Sequence, residues 1–532
     1  MTGAIPTNRR TVLKGGAALL AVPFLARSAA GQAGHLRVSM TSEEGIAHLQ
    51  TYRKAVAAMW ALDPSDPHNW FRYAMIHLMD CPHGNWWFFV WHRPYVAHLE
   101  RIVRIYGEDE SFAMPYWDWT ADPFVADTFF ASSTYPDNAL DPSSSHYPDW
   151  DSFESAYHDP IEAFWNGLSD AQKQQENLRG FPDFDSFWTT GVHPNFNANP
   201  ADGRSKTAAA PDLTPPASDA VMLPVIEAGL RPEIFTTVVG SGQARTGFNS
   251  PESQNHHQGV GAAILEGQPH NKVHNDLGNA AGGWMPSLLS SVDPIFFMHH
   301  CNVDRLWDVW TTKERTAGRT ALPTAEEAPR FDPEPFLFYI GDAGQPAPST
   351  AGASMDIAPW GYAYTPGSGS ASAAGLQSRR GIAPNATAQA NEGFGLNEGA
   401  TASLSLPESA AAAGAENTRQ VAQVTFTPPR MVKGLRFDVF VSPAGETPEL
   451  SEDSPGFAGS FEFFGMLHGH GHDFTAVIDV TDAVERLREA GTLPESGAID
   501  VTLAASGTGR EDRTLESAPL EGVFKSVVLE SF

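Results

Sequence analysis

Histidines in this chain are grouped at spacings that suit metal binding. His83 and His92 lie nine residues apart in Cys81-Pro82-His83-Gly84-Asn85-Trp86-Trp87-Phe88-Phe89-Val90-Trp91-His92-Arg93, and His77 sits just upstream. A second group, His270-Asn271-Lys272-Val273-His274, is followed by His299-His300. Imidazole nitrogen ligates copper, zinc, iron or nickel. The aromatic run between His83 and His92 would keep bulk water from a bound metal and tune its chemistry. Three imidazoles plus three, with no acidic ligand nearby in either set, predict a site for two metal ions. A carboxylate-rich di-iron site would instead need Glu and Glu-x-x-His.

The elements that must position these groups follow from periodicity. Ile46, Leu49, Val56, Met59 and Trp60 recur at helical spacings over 42–62, with Ser42 as a cap. Residues 70–80, which carry His77, and 91–106, with Val96, Leu99, Ile102 and Val103 inward, also read as helices. Nine residues at about 100° each leave His83 and His92 half a turn out of phase. His83 is therefore expected on the segment leading in, with the chain folded back. His270 and His274, four apart, project from one helix face. His299 and His300 open a helix through Val303, Leu306 and Val309. Residues 121–250, rich in Pro, Asp, Ser and Gly, read as long loops and short helices.

Residues 366–420 turn to Gly, Ser, Ala and Asn and read as a flexible linker. Apolar alternation over 421–426, 435–441, 460–467, 474–480, 499–503 and 523–529 then predicts strands. The expected fold is mainly α: a helical bundle with long loops over 34–365, then a small all-β domain over 421–532. His468, His470 and His472 alternate as on one strand face; a plain surface strand is favoured over transient metal binding.

His83, Phe88, Phe89, Trp91, His92, Arg93 and Glu100 resemble the first signature of the tyrosinase and polyphenol oxidase family, the type-3 copper proteins. Asp293-Pro294-Ile295-Phe296-Phe297-Met298-His299-His300 with Asp304-Arg305 resembles the second. The resemblance covers roughly residues 45–365. A weaker one, at Arg436-Phe437-Asp438-Val439 and Gly459-Ser460-Phe461, is to the C-terminal domain of plant polyphenol oxidases. It implies two copper ions: copper A held by His77, His83 and His92, copper B by His270, His274 and His300. His68 competes with His77, and His299 with His300. Ile76-His77 with Cys81 fits the first-ligand segment better, and the family places the last ligand second of its pair. Zinc would accept similar ligands but has no redox chemistry.

The resemblance further implies a thioether between Cys81 and His83; a free thiol or a disulfide with Cys301 are the alternatives. Glu266 and Asn271 match positions that hold a water able to take the proton of a bound phenol, which is general-base work. Glu266 is otherwise an acid favoured by a helix N-terminus. Asp304 and Arg305 would support the copper B helices, and 285–289 would contain a residue gating access to copper B. The implied activity is hydroxylation of monophenols to o-diphenols and oxidation of these to o-quinones with O2. Alternatives are a catechol or o-aminophenol oxidase, or an oxygen carrier of the hemocyanin type. The C-terminal domain would shield its own active site.

The net charge of −29 opposes nucleic acid or anionic lipid as a partner. Two cysteines in 532 residues are too few for a disulfide framework. Asn8-Arg9-Arg10-Thr11-Val12-Leu13-Lys14 and the small, apolar residues up to Ala33 fit a Tat export signal over 1–33, which implies a periplasmic or secreted protein. A short anchor is the alternative, but no later segment reaches the ~20 apolar residues of a membrane helix.

Overall fold

A computed structural model describes residues 34–142, 147, 149–196, 203–240, 244–278, 283–376, 386–406, 419–429, 435–465, 471–494, 497–507 and 522–531. The expected export signal, 1–33, lies outside them, as do His468 and His470. His472 stands exposed, ahead of a strand rather than within one. Among the described residues, no helix is long and apolar enough to cross a membrane.

The first lobe is helical. Helix α1, Glu43–Trp60, starts where the Ser42 side chain accepts the Gly45 N–H. Its buried stripe is Leu49, Tyr52, Val56 and Met59, while Ile46, expected within it, is 46% exposed. Helix α2, Trp70–Asp80, is capped by Asn69 and buried along its whole length. Helix α3, Phe88–Gly107, begins three residues earlier than expected and ends at Glu108, whose φ of 55° is left-handed. His83 lies in the connection between α2 and α3, as the phase argument requires. The 121–250 region is more regular than its composition suggests. It contains α4, Trp150–Asn166, and α5, Asp170–Arg179, the latter opened by a Ser169/Gln172 capping box. A π-turn, Glu266–His270, runs into α6, Asn271–Asp276. Helix α7, Ile295–Thr316, begins four residues before His299.

A buried ionic network fastens these helices. Arg93 on α3 pairs with Asp304 on α7 at 2.7 Å, and Asp304 also accepts the hydroxyls of Tyr362 and Tyr364. Arg37 pairs with Glu100 at 2.8 Å. Burial alone would raise the Asp304 carboxyl, but Arg93 and Arg37 hold it below its ordinary value. Arg305 points elsewhere, to Asn302 and the Ser368 carbonyl.

The second lobe is a β-sandwich. In chain order its strands are β1 (Gly261–Ala262), β2 (Ala386–Phe394), β3 (Gly399–Ser405), β4 (Gln420–Thr427), β5 (Leu435–Pro443), β6 (Phe457–Glu462), β7 (Phe474–Asp479), β8 (Ala498–Gly507) and β9 (Gly522–Ser531). One sheet has the order β1-β7-β4-β9-β2 and the other β6-β5-β8-β3. Two strands, β2 and β3, thus fall inside the stretch expected as linker, 366–420, which corrects that expectation. The physical reason is visible in β3, where small apolar side chains alternate: Ala400, Ala402 and Leu404 are buried and Gly399, Ser403 and Ser405 are exposed. Small residues satisfy the period of a strand as well as they satisfy a linker composition.

Strand β1 belongs to the helical lobe, yet it pairs in parallel with β7, Gly261 opposite Thr475 and Ala262 opposite Ala476. A Cβ at Gly261 would stand 2.5 Å from the Thr475 carbonyl oxygen, so the pairing needs glycine there. Ala228, Ile264, Val421 and Val477 form an apolar cluster across the same junction.

Candidate metal centre

The six histidines singled out by sequence meet in one place. His77 comes from α2, His83 from the loop, His92 from α3, His270 and His274 from the π-turn and α6, and His300 from α7. Within the first set, His77 Nε2 lies 3.5 Å from His92 Nε2, and the ring of His83 is 5.2 Å from that of His92. Within the second, His274 Nε2 lies 3.3 Å from His300 Nε2, and the ring of His270 is 5.0 Å from that of His300. The two sets face each other. His92 stacks on His300 at 4.2 Å, and His83 on His270 at 5.5 Å. Phe88 and Phe296 pack against both sets.

Hydrogen bonds fix which nitrogen is free. The Nδ1 atoms of His77, His92 and His274 face the carbonyls of Leu288, Phe88 and Met285 at 2.7–2.8 Å. His270 Nδ1 faces the Asn271 Oδ1 at 2.8 Å. Those oxygens only accept, so each Nδ1 carries the proton and each Nε2 keeps its lone pair. The Nε2 atoms of His83 and His270 are buried with no hydrogen-bond partner. Burial drives all six rings to the neutral form, His77 and His270 to about 3. Neutral rings with inward lone pairs, two of them lacking partners, fit a pair of soft-to-borderline metal ions.

His299 joins the second cluster but is wired differently. Trp119 Nε1 donates to His299 Nδ1 at 3.0 Å. An indole N–H only donates, so the proton of neutral His299 sits on Nε2; that atom is also buried without a hydrogen-bond partner, but while it carries the proton it cannot ligate a metal. His68 is also removed from the centre: it bonds the Tyr106 hydroxyl and the Gly341 carbonyl.

The surrounding residues have definite partners. Cys81 Sγ lies 3.4 Å from His83 Nδ1, and Cys81 and Cys301 are both free thiols, so the structure contains no disulfide between them. Glu266 accepts the Gly84 N–H with one oxygen and the Ser250 hydroxyl with the other. Burial pushes its carboxyl up to about 8, against the pull of those two donors. Asn271 uses both ends of its amide: Oδ1 on His270, and Nδ2 on the Glu462 carbonyl at 2.8 Å.

Sequence reasoning missed Phe464. This residue of the second lobe places its ring 4.1 Å from His274, 4.7 Å from His83 and 5.6 Å from His270. Gly465 follows with φ of 66°, and a Cβ on it would stand 2.5 Å from Leu288 Cδ2. Gly465 thus packs closely against Leu288, a member of the 285–289 segment. The signal available was the pair Phe463-Phe464 before a glycine at a strand end, which breaks the alternation of a sheet.

Residues 56–313 match the family described as the common central domain of tyrosinase. This part of the chain belongs to the tyrosinase family. Its members are copper oxidoreductases, in keeping with the donor set above. The chain is 26% identical over 297 residues to the chloroplastic polyphenol oxidase of Malus domestica, covering 50% of this chain and 39% of that protein. It is 26% identical over 356 residues to a tyrosinase of Hahella sp. (strain CCB-MM4), covering 60% of each. The matches therefore span less than two thirds of either relative. Latent apple tyrosinase superposes with a TM-score of 0.54 at 19% identity, covering 93% of this chain and 97% of that chain. At that identity the likeness is one of fold, and it extends beyond the tyrosinase domain into the sheet-rich lobe.

Proposed function

We propose that the chain is an exported two-copper tyrosinase that hydroxylates monophenols to o-diphenols and oxidises o-diphenols to o-quinones with O2. His77, His83 and His92 would hold copper A, and His270, His274 and His300 copper B. The observation that carries this reading is the convergence of six neutral imidazoles, four of which have Nδ1 tied to an oxygen acceptor so that Nε2 keeps its lone pair. Bound copper would supply the redox chemistry with O2. The protein's own work is then positional. Phe88 and Phe296 exclude water from between the histidine sets, and the Arg93–Asp304 pair fixes the two helices that carry His92 and His300.

Glu266 and Asn271 would orient a water that removes the phenol proton. The Nδ2 of Asn271 is held by Glu462, so that role is fully available only when the second lobe moves away. Phe464 occupies the face of the site that an aromatic substrate would use, which supports a latent resting state. A thioether from Cys81 to His83 would fix the copper A ligand further.

The test is to load the protein with copper, count ions, and compare turnover of tyrosine, catechol and o-aminophenol before and after removal of the second lobe. Two ions per chain and turnover of all three are expected. One ion per chain, or reversible O2 binding without phenol turnover, would overturn the reading. Turnover of catechol without tyrosine would restrict it to a diphenol oxidase.

A further inference from the structure

Helix α5 ends at Arg179, just before Gly180 with its left-handed φ of 106°. That ending brings the guanidinium to the C-terminus of α2. Arg179 Nη1 donates to the Cys81 carbonyl at 2.8 Å and also lies 3.2 Å from His257 Nδ1. Nη2 donates to Cys81 Sγ at 3.1 Å and reaches the His77 carbonyl at 3.5 Å. The His77 carbonyl already accepts the Cys81 N–H, whereas the carbonyl of Cys81, the residue that caps α2, lies past the last intrahelical bond, where a cationic side chain is a favourable partner. Arg179 therefore grips the backbone at His77, the backbone at Cys81, and the Cys81 sulfur at once. A cysteine sulfur is placed by χ1 alone, with three staggered choices. The bond from Arg179 selects the choice that sets Sγ 3.4 Å from His83 Nδ1, the atom bonded to ring carbon Cε1.

We propose that Arg179 is the positioning residue for the Cys81–His83 thioether, holding the sulfur at the ring edge until the bond closes. The proposal rests on the thioether reading above. In that step the S–H and Cε1–H bonds break, one S–C bond forms, and two protons and two electrons leave. The oxidant is O2 acting with copper(II), and O2 becomes hydrogen peroxide. Lysine is expected to replace the role poorly, because its compact ammonium has rotatable donors rather than a rigid fork that holds carbonyl and sulfur at a set spacing.

The test adds copper(II) in air to the metal-free full chain and weighs the peptide containing Cys81 and His83 at intervals, after reduction. The wild-type peptide is expected to become two hydrogens lighter, and C81S to show no such loss. R179A and R179K are expected to bridge at least tenfold more slowly while still binding two coppers per chain. If both variants bridge within twofold of the wild-type rate, the role of Arg179 is overturned and the thioether reading survives. If the wild-type peptide never loses two hydrogens, both fall. Should R179A fail to fold, R179K is judged by the same rate criterion.

Discussion

The ring of Phe464, from the β-sandwich, lies 4.1 Å from the ring of His274 at the centre of the helical lobe. It is 2% exposed, so the contact removes that face of His274 from solvent. Replacing Phe464 with Ala should open the face without unfolding the second lobe, whose core lies elsewhere. Diphenol kcat/KM is expected to rise at least tenfold, equivalent to ~1.4 kcal/mol. Steady-state assays on the full chain check this, and an unchanged value would remove Phe464 as the obstruction.

Glu266 faces a different demand. E266Q keeps an acceptor for Gly84 or Ser250 but abolishes the base, which the buried carboxyl supplies once it is ionised, in buffer above about pH 8. Monophenol turnover is expected to fall on the order of 10²-fold, the usual size of general-base assistance, with diphenol turnover little changed. Equal loss of both activities would assign Glu266 to support alone.

The contrast between His299 and His300 is testable by counting metal. H300N is expected to lower bound copper from two ions per chain to one, whereas H299Q retains two. The converse result would mean that the Trp119 bond to His299 does not set its tautomer. Metal analysis with circular dichroism separates ligand loss from unfolding.

His256 sits between Asp80 at 3.2 Å and Glu334 at 2.7 Å. Burial alone would strip its proton, but hydrogen bonds and charge from the two carboxylates hold it on, so its pKa is raised above 6.5. A raised histidine contributes its full stability below the unfolded value and loses it as pH climbs through the folded value. H256Q should therefore cost on the order of 3 kcal/mol in mildly acidic buffer and progressively less in alkaline buffer. Urea unfolding at several pH values measures the difference; a cost that grows with pH would contradict the assignment.

Much of the helical lobe was legible because its signals are local. Residues 70–80 read as a helix with the bounds observed, and the structure shows its start capped by the Asn69 side chain. The phase mismatch between His83 and His92 placed His83 in the α2–α3 connection without any tertiary information. What could not be read depends on distant partners. Arg179 is 98 positions from Cys81, and no local pattern links them. Strands β2 and β3 carry mostly small residues, so composition suggested a tether where pairing with β9 and β8 makes sheet. The choice between His299 and His300 became physical only when Trp119 was placed beside one of them.

The parallel pairing of Gly261–Ala262 with Thr475–Ala476 has a consequence for proteolysis. Because the helical lobe supplies an edge strand to the β-sandwich, a single nick between residues 376 and 386 severs the covalent tie but leaves that edge, the Thr246–Glu530 bonds and the apolar junction in place. A nicked protein is expected to run as one species in native size-exclusion chromatography and to separate only under mild denaturant. Cutting and uncovering would then be two successive events, and the second would set how fast activity emerges.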